Sequence, residues 1–259
     1  MRNRLTEELA VCGFNAALAL GTCHPEKINR LFLREDRLKA FSGICKYLAA
    51  KKHPYKICGD EELERLCKSN RHQGVVAMIP VPELAPAAEE DLDLWAGEGK
   101  TGIVLDSIGN DHNLGAIARC AAFFDVHFVI LGGGDRENQL STSAYRVAEG
   151  GMEYLSFRGV NSAAAFLRAA SGRIVTIGAD PRARWRVSDL GTVVANRAAA
   201  LKLKSRPGIA LVLGNEESGL SGEVKENCSA LIRVPGTGNI ESLNVAQATA
   251  LFLHEIFEL

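Results

Sequence analysis

The segment Arg233–Ile256, RVPGTGNIESLNVAQATALFLHEI, joins a permissive loop to an amphipathic helix. Its second half predicts one buried helical stripe, because four apolar residues recur at spacings of three or four: Val245, Ala248, Phe252 and Ile256. The entry to this helix holds one proline and two glycines, followed by four polar side chains: Asn239, Glu241, Ser242 and Asn244. Helix N-terminal N–H groups can be capped locally or can hold a ligand. The segment therefore predicts either a plain cap at Ser242 or one wall of a polar site.

Upstream of this segment, short apolar runs alternate with helical patterns. The runs are of the buried-strand type and read GIVLDSI, VHFVILGG, RIVTIGA, IALVLGN and ALIRVPG. Helical patterns such as NLGAIARCAAFF and NSAAAFLRAA separate most of them. This alternation predicts an α/β fold with a mostly parallel sheet over residues 101–259, and ligands bind such sheets at the strand ends.

The first part of the chain has a different pattern. Over residues 1–80 the sequence predicts a small α/β layer domain in the order α–β–α–β–α–β, with EELAVCGFNAALAL as a helix interrupted by Gly13. Residues 81–100 contain prolines followed by an acidic run, which predicts a linker with at most a short helical turn.

Charge divides the chain in the same places. Residues 1–80 carry 14 Lys and Arg against 9 Asp and Glu, residues 81–100 carry 1 against 6, and residues 101–259 carry 15 against 16. A basic segment, an acidic joint and a neutral body indicate different roles, although solvated helix faces would give a similar distribution.

The composition excludes several classes of protein. With 259 residues, 47% of them hydrophobic, the chain can bury one large core or two ordinary ones. Seven cysteines without a CxxC pair indicate reduced thiols in a cytoplasmic protein. We expect neither a signal peptide nor a membrane span. We also expect no metal, because His112 and His127 lack metal-like spacing to cysteines. The absence of GxGxxG argues against a nicotinamide site, and the GxxxxGK[ST], HExxH and GxSxG motifs are absent as well.

Two further strand ends carry clustered polar groups. In LDSIGNDHNLGAIARCA, a strand ends near Asp106, Asn113 or a neighbour caps the next helix, and Arg119 follows among small apolar residues. Such an arginine either reaches solvent or meets an anion. In LVLGNEESGL, a strand runs into Gly214 and Glu216, which predicts a turn that needs glycine or a close approach to a ligand.

All three motifs, in this order and at these spacings, resemble the SPOUT superfamily, and within it the SpoU (TrmH-like) RNA 2′-O-ribose methyltransferases. NLGAIARCA is similar to the first motif of that family, LVLGNEESGL to the second and VPGTGNIESLNVAQA to the third. RVAEGGMEYLSF fits the middle region of the family. GFNAALAL and HQGVVA resemble the small substrate-binding domain that precedes many SpoU catalytic domains and is itself similar to a ribosomal RNA-binding protein.

The resemblance implies properties that the residues alone do not give. They are a deep trefoil knot at the C-terminal end, S-adenosylmethionine as methyl donor, tRNA or rRNA as substrate, and a homodimer whose active site uses both subunits. It also implies a division into an RNA-binding domain (residues 1–80), an acidic proline-containing linker (residues 81–100) and a SPOUT methyltransferase domain (residues 101–259).

The site residues follow from matching the motifs. Catalytic roles are implied for Arg119, Asn113, Glu216, Ser242 and Asn244. Contacts to the methyl donor are implied for Leu213, Gly214, Val234, Ser242, Leu243 and Asn244. Arg119 would act either as a base or as an electrostatic stabiliser of the reacting hydroxyl, and we favour the second because a guanidinium holds its proton.

The sequence departs from the family at two positions. Asp111 stands where proline is usual, and Glu149 replaces a small residue in the middle motif. Both changes leave the RNA target open. Two alternatives to the ribose methyltransferase are a non-catalytic RNA-binding protein that kept the fold and a SPOUT enzyme that methylates a base.

Overall fold

The computed structural model describes residues 7–133, 140–203 and 206–259. In the N-terminal part, four strands alternate with three α-helices: β1 (Glu8–Cys12), α1 (Phe14–Cys23), β2 (Arg30–Leu33), α2 (Ser42–Ala50), β3 (Tyr55–Ile57), α3 (Asp60–Cys67) and β4 (Val75–Pro80). The strands form one sheet in the order β1-β4-β2-β3, in which only β2 and β3 run parallel.

The described C-terminal part contains seven strands and seven α-helices. They are α4 (Glu89–Glu98), β5 (Thr101–Asp106), α5 (Asp111–Phe123), β6 (Phe128–Gly132), α6 (Thr142–Ala148), β7 (Ser156–Val160), α7 (Ala163–Ala170), β8 (Val175–Ala179), β9 (Trp185–Arg186), α8 (Leu190–Ala200), β10 (Ile209–Gly214), α9 (Gly222–Asn227), β11 (Ala230–Arg233) and α10 (Val245–Phe257). The strands form one sheet in the order β7-β6-β5-β10-β8-β11-β9, and every pair is parallel. The predicted α/β class with a mostly parallel sheet is confirmed, and the knot stays a prediction.

Helices cover both faces of the large sheet. One face packs against α5, α6, α8 and α10, with Ile117, Val193 and Phe252 in its core. The other face packs against α4, α7 and α9, with Trp95 and Leu167 in its core. Because the central strands are buried on both sides, their sequences are continuous apolar runs, which explains why the sequence revealed them.

The first predicted element is wrong. Residues 8–12 form strand β1, which pairs antiparallel with β4, and the helix begins only at Phe14, after Gly13. All five residues of β1 are buried. A short strand buried on both faces has the same apolar run as a buried helix, so periodicity could not separate them.

The acidic joint holds more structure than the short turn predicted for it. Helix α4 is ten residues long, and its Trp95 is fully buried, donates from Nε1 to the carbonyl of Ile209 over 3.2 Å and stacks on Phe128. Two of its acids form ion pairs with arginines, Asp91 with Arg158 of β7 and Asp93 with Arg173, which lies just before β8. Helix α4 therefore belongs to the helical layer that packs on the C-terminal sheet. The domain boundaries themselves stay a prediction.

Across the described residues, no helix has the length and apolar character that a bilayer crossing needs. The same residues contain no group of three or more His, Cys, Asp or Glu side chains arranged to hold a metal ion.

Candidate active site

The carboxyl ends of strands β5 and β10 lie side by side. Gly214 is in register with Asp106, so the loops that follow both strands emerge together. Asn215 ties them, since its Nδ2 donates to the carbonyl of Ser107 over 2.9 Å and its Oδ1 accepts from the N–H groups of Glu217 and Ser218. The second motif is therefore a fixed loop.

Gly214 is required by this loop itself. Asn215 and Gly219 exchange backbone hydrogen bonds of 3.1 and 2.9 Å, which folds residue 219 back over the strand end. A Cβ at Gly214 would overlap the backbone of Gly219 and Leu220. The neighbouring Leu213 is buried in the core, 1% exposed, so it has only backbone to offer a ligand.

A hydrogen-bonded chain joins the three motifs. Nδ2 of Asn113 donates to Oε1 of Glu216 over 2.6 Å, and Oδ1 of Asn113 accepts from Nδ2 of Asn244 over 3.0 Å. The second carboxylate oxygen of Glu216 accepts from the N–H of Gly109 over 3.3 Å. Side chains 103 and 131 residues apart in sequence thus share one network, while the catalytic roles of these three residues stay a prediction.

Asn244, and not Ser242, caps the last helix. Oδ1 of Asn244 accepts from the N–H of Ala246 over 2.9 Å, and the helix begins at Val245. Ser242 lies two residues outside and is exposed, so the predicted cap at Ser242 is wrong. A similar shift occurs in the first motif, where Asn110 caps α5 by accepting from the N–H of His112 over 2.8 Å, which leaves Asn113 free for the network.

Arg119 lies on the same helix as Asn113 but on its exposed side. Among the described residues, no hydrogen bond or ion pair involves its side chain. It shares this helix face with His112 and with Phe123, which is 79% exposed. The guanidinium is therefore available to an anion or to a second subunit.

The loop before α10 has the properties of a ligand-binding wall. Val234 is half-buried against the core, whereas Leu243 is 40% exposed and Ile240 is 72% exposed. In the part of the chain that the structure describes, the N–H groups of residues 236–238 donate no hydrogen bond. Exposed apolar side chains beside free amides suit a ligand such as S-adenosylmethionine, which has an adenosine to bury and a carboxylate to satisfy. Of the residues predicted to hold the donor, Val234, Ser242 and Leu243 lie in this loop and Asn244 ends it, whereas Gly214 is the last residue of β10.

The two positions that depart from the family lie apart from each other. Asp111 is the first residue of α5 and is half-buried. A carboxylate at this position is stabilised by the positive end of the helix dipole. Glu149 lies in the turn after α6, and its Oε2 accepts from Nδ2 of Asn15 in the N-terminal part over 2.6 Å. Glu149 therefore connects the two parts of the chain.

Sequence reasoning missed Asn215 and Asn110 as positioning residues. Both are asparagines next to a strand or helix end, which is where this residue type bonds its own backbone. That preference could have identified both asparagines from the sequence. The hydrogen bond from Asn215 to Ser107 could not be predicted from the sequence, because it depends on which strands are neighbours in the sheet.

Comparison with known proteins agrees with this geometry. Residues 100–254 match the model of the SpoU rRNA methylase family, and residues 10–85 match the RNA 2′-O ribose methyltransferase substrate-binding domain. The chain is 31% identical over 249 residues to the 23S rRNA (guanosine-2′-O-)-methyltransferase RlmB of Bordetella pertussis, covering 95% of each chain. It is 30% identical to the RlmB of Nitrosomonas europaea, covering 98% of this chain and 92% of that one.

Solved structures share the fold at lower identity. The AdoMet-bound rRNA methyltransferase of Sinorhizobium meliloti superposes with a TM-score of 0.73 at 22% identity, covering 97% of this chain and 87% of that one. The SpoU methyltransferase AviRb of Streptomyces viridochromogenes, in complex with AdoMet, gives 0.67 at 22% identity, covering 98% and 91%. Because the family model covers more than half of the chain, and because the motifs that suggested the family meet in one site, the chain belongs to the SpoU rRNA methylase family.

Proposed function

We propose that this protein transfers the methyl group of S-adenosylmethionine to a ribose 2′-hydroxyl of ribosomal RNA, with a guanosine of 23S rRNA as the target. The relatives named RlmB, which match over almost the whole chain, support the choice of substrate. The observation that carries the proposal is the network of Asn113, Glu216 and Asn244, which joins all three family motifs on the helix that bears the exposed Arg119.

When bound, S-adenosylmethionine supplies a methyl group already activated by its sulfonium. The protein must then align the hydroxyl and ease the loss of its proton. Asn113, Glu216 and Asn244 hold the three motif loops in register, and the loop before α10 receives the donor. Arg119 orients the RNA phosphate and stabilises the negative charge that develops on the ribose oxygen. A guanidinium suits this role because it forms paired hydrogen bonds to phosphate and keeps its charge.

The N-terminal part is proposed to bind the RNA. Residues 1–80 carry a net charge of +5. Four of their lysines are exposed and form no ion pair with any described residue: Lys39, Lys46, Lys51 and Lys52. Free cations of this kind bind phosphates by releasing counterions. Residues 101–259 would then form the catalytic domain, with the trefoil knot implied by the family at its C-terminal end.

A homodimer is part of the proposal. The ends of α5 and α10 expose a connected apolar surface, in which Phe123 contacts Phe124 and Phe124 contacts Phe257. Phe123 and Phe257 are 79% and 57% exposed. Isolated subunits rarely leave two such neighbours in water. Since Arg119 lies on the same side of α5, a second subunit on this surface would complete the site.

The cellular site proposed for this reaction is the cytoplasm. The test is to map ribose methylation in total RNA from cells with and without the gene, and to repeat the reaction with purified protein, donor and ribosomal RNA. We expect one ribose position in 23S rRNA to lose its methyl group and to regain it in vitro. Methylation of a base instead would support a base methyltransferase, and donor binding without any transfer would support a non-catalytic RNA-binding protein.

A further inference from the structure

The outer edge of the large sheet carries a cluster of arginines. Strand β9 is the last strand at this edge, and Arg184, Trp185 and Arg186 are all exposed there. Its parallel pairing with β11 places Arg186 directly beside Arg233. Partners in register point to the same face of a sheet, so these two guanidinium groups share one side of the edge.

The charges of these arginines are not matched by ion pairs. No ion pair among the described residues involves Arg182, Arg184, Arg186 or Arg233. The two nearest acids in sequence are already engaged. Asp180 pairs with Lys225 over 2.7 Å, and Asp189 accepts from the backbone N–H of Arg186 over 2.9 Å.

Arg233 provides a second sign that an anion is expected. Its Nε is buried and has no hydrogen-bond partner among the described residues. A buried donor left without an acceptor is costly, and an incoming phosphate oxygen would satisfy it. Arg233 immediately precedes Val234, the first residue of the loop assigned to the donor, so this edge adjoins the proposed active site.

An aromatic ring lies at the same edge, on the opposite face of the strand from Arg186, because consecutive strand residues alternate between faces. Trp185 is 39% exposed, and the guanidinium of Arg184 lies 5.6 Å from its ring centre. Cationic grooves interleaved with exposed aromatic rings bind single-stranded nucleic acid, because phosphates pair with the cations while bases stack on the rings.

We infer that Arg184, Trp185, Arg186 and Arg233 form a second RNA-binding surface that wraps around the outer edge of the sheet and holds a single-stranded stretch of the substrate next to the active site. Phosphates contact the arginines and one base stacks on Trp185. The inference rests on the proposed function and extends it, because it moves part of RNA recognition from the basic N-terminal part to the catalytic part, whose net charge of −1 conceals it.

The chain offers a direct optical test. It has two tryptophans, and the other one, Trp95, is fully buried. Iodide quenching of tryptophan fluorescence therefore reports mainly on Trp185. We expect an unstructured oligouridylate to protect the full-length protein from iodide. Trp185→Ala should weaken binding of that RNA by roughly tenfold, with partial recovery in Trp185→Phe, since stacking supplies this order of energy.

Salt dependence separates specific phosphate contacts from general charge. Arg184→Ala and Arg186→Ala should each lower the slope of log affinity against log salt by about 0.7. Arg168→Ala is the matched control, because Arg168 is exposed on α7, which packs over the other half of the sheet, and its loss removes the same charge. Equal effects of Arg168→Ala and Arg186→Ala would overturn the inference, as would unchanged RNA affinity in Trp185→Ala.

Three further outcomes separate the RNA-binding surface from the proposed function. Protection of Trp185 by polyglutamate as efficient as by RNA would assign the surface to acidic proteins and overturn the inference. If the wild-type protein methylates ribosomal RNA while the Trp185 and arginine variants bind RNA normally, the surface is refuted and the proposed function stands. RNA protection of Trp185 without any methyl transfer would support the surface and refute the function.

Discussion

Nδ2 of Asn15 donates a hydrogen bond of 2.6 Å to Oε2 of Glu149, which links the first helix of the N-terminal part to the turn after α6. The turn continues through Gly150, whose φ is 96°, and Gly151. A Cβ at Gly150 would lie 2.7 Å from Cβ of Ala19 in α1, and one at Gly151 would lie 3.1 Å from Cα of Arg119. One short turn thus contacts both the proposed RNA-binding part and the helix of the proposed catalytic arginine.

Gly150→Ala should destabilise this junction. The new methyl group would press on α1, and overpacking of this kind costs roughly 1 to 3 kcal/mol of unfolding free energy. Gly172→Ala is the control, because Gly172 also has a positive φ, of 77°, but a Cβ added there would meet no described atom within 4 Å. Urea unfolding of both variants separates crowding from backbone strain. Equal losses of stability in the two variants would show that α1 moves to accommodate the new methyl group and that the contact at Gly150 is not tightly packed.

Arg119→Ala should abolish turnover without unfolding the protein. The side chain is exposed and forms no hydrogen bond among the described residues, so the free energy of unfolding should change by less than about 0.5 kcal/mol. Methyl transfer should fall by at least about a hundredfold, the usual loss when a group that stabilises a developing oxyanion is removed. Donor affinity, measured by calorimetry, should stay within a few-fold of wild type. A variant that keeps its normal rate would remove Arg119 from the chemistry.

Glu153→Gln should stabilise the protein at neutral pH. Burial raises the pKa of Glu153, and nearby Glu26 raises it further, against the opposing effects of Lys27 and His24. Its Oε1 is buried without a hydrogen-bond partner among the described residues. Because the folded state holds the proton more tightly than the unfolded chain, this carboxyl contributes most stability at acid pH and loses that contribution as the pH rises.

The measurement is urea unfolding of wild type and Glu153→Gln at an acid pH near the ordinary pKa of glutamate, about 4.3, and at neutral pH. The variant should be the more stable protein at the higher pH, and the difference should shrink at the lower one. Glu90→Gln is the control, since Glu90 is exposed. A difference that is the same at both pH values would exclude titration of Glu153 as its cause.

Phe123→Glu should dissociate the proposed dimer. A charge in the apolar surface formed by Phe123, Phe124 and Phe257 would have to be desolvated in both subunits. Light scattering should report a monomer, and methyl transfer should fall with it because Arg119 shares that face. Tyr55→Glu, at an exposed aromatic on β3 of the N-terminal part, should leave the oligomeric state unchanged. A variant that remains dimeric would place the interface elsewhere.

The sequence predicted the parts of the fold that depend on local pattern. Strands β5, β6, β8, β10 and β11 were visible because burial on both faces makes them short apolar runs. Strand β7 was not, because four of its five residues, including Arg158, are only half-buried and break the run. Strand β9 has two residues, both exposed, and depends on its pairing with β11.

The candidate site divides in the same way. Asn113, Glu216 and Asn244 could be named from motifs, but their hydrogen bonds depend on β5 and β10 being neighbours, which no local pattern states. The cap was predicted at Ser242 because serine and asparagine both cap helices well. Only the backbone geometry shows that Asn244 is the cap. The arginine-rich edge was missed because a net charge averages over a whole domain.

Burial of Trp95 decides where the methyltransferase part can be separated from the rest. A side chain at Gly102 would overlap the indole ring, and one at Gly208 would lie 2.8 Å from the carbonyl oxygen of Trp95, so strand β5 and the start of β10 are shaped around this residue. A fragment that begins at Thr101 would leave a hollow the size of an indole under the sheet and would be expected to aggregate. The shortest fragment suited to crystallisation or inhibitor screening therefore begins before Glu89, within the acidic, proline-containing segment of residues 81–100 that the sequence alone suggests could be removed.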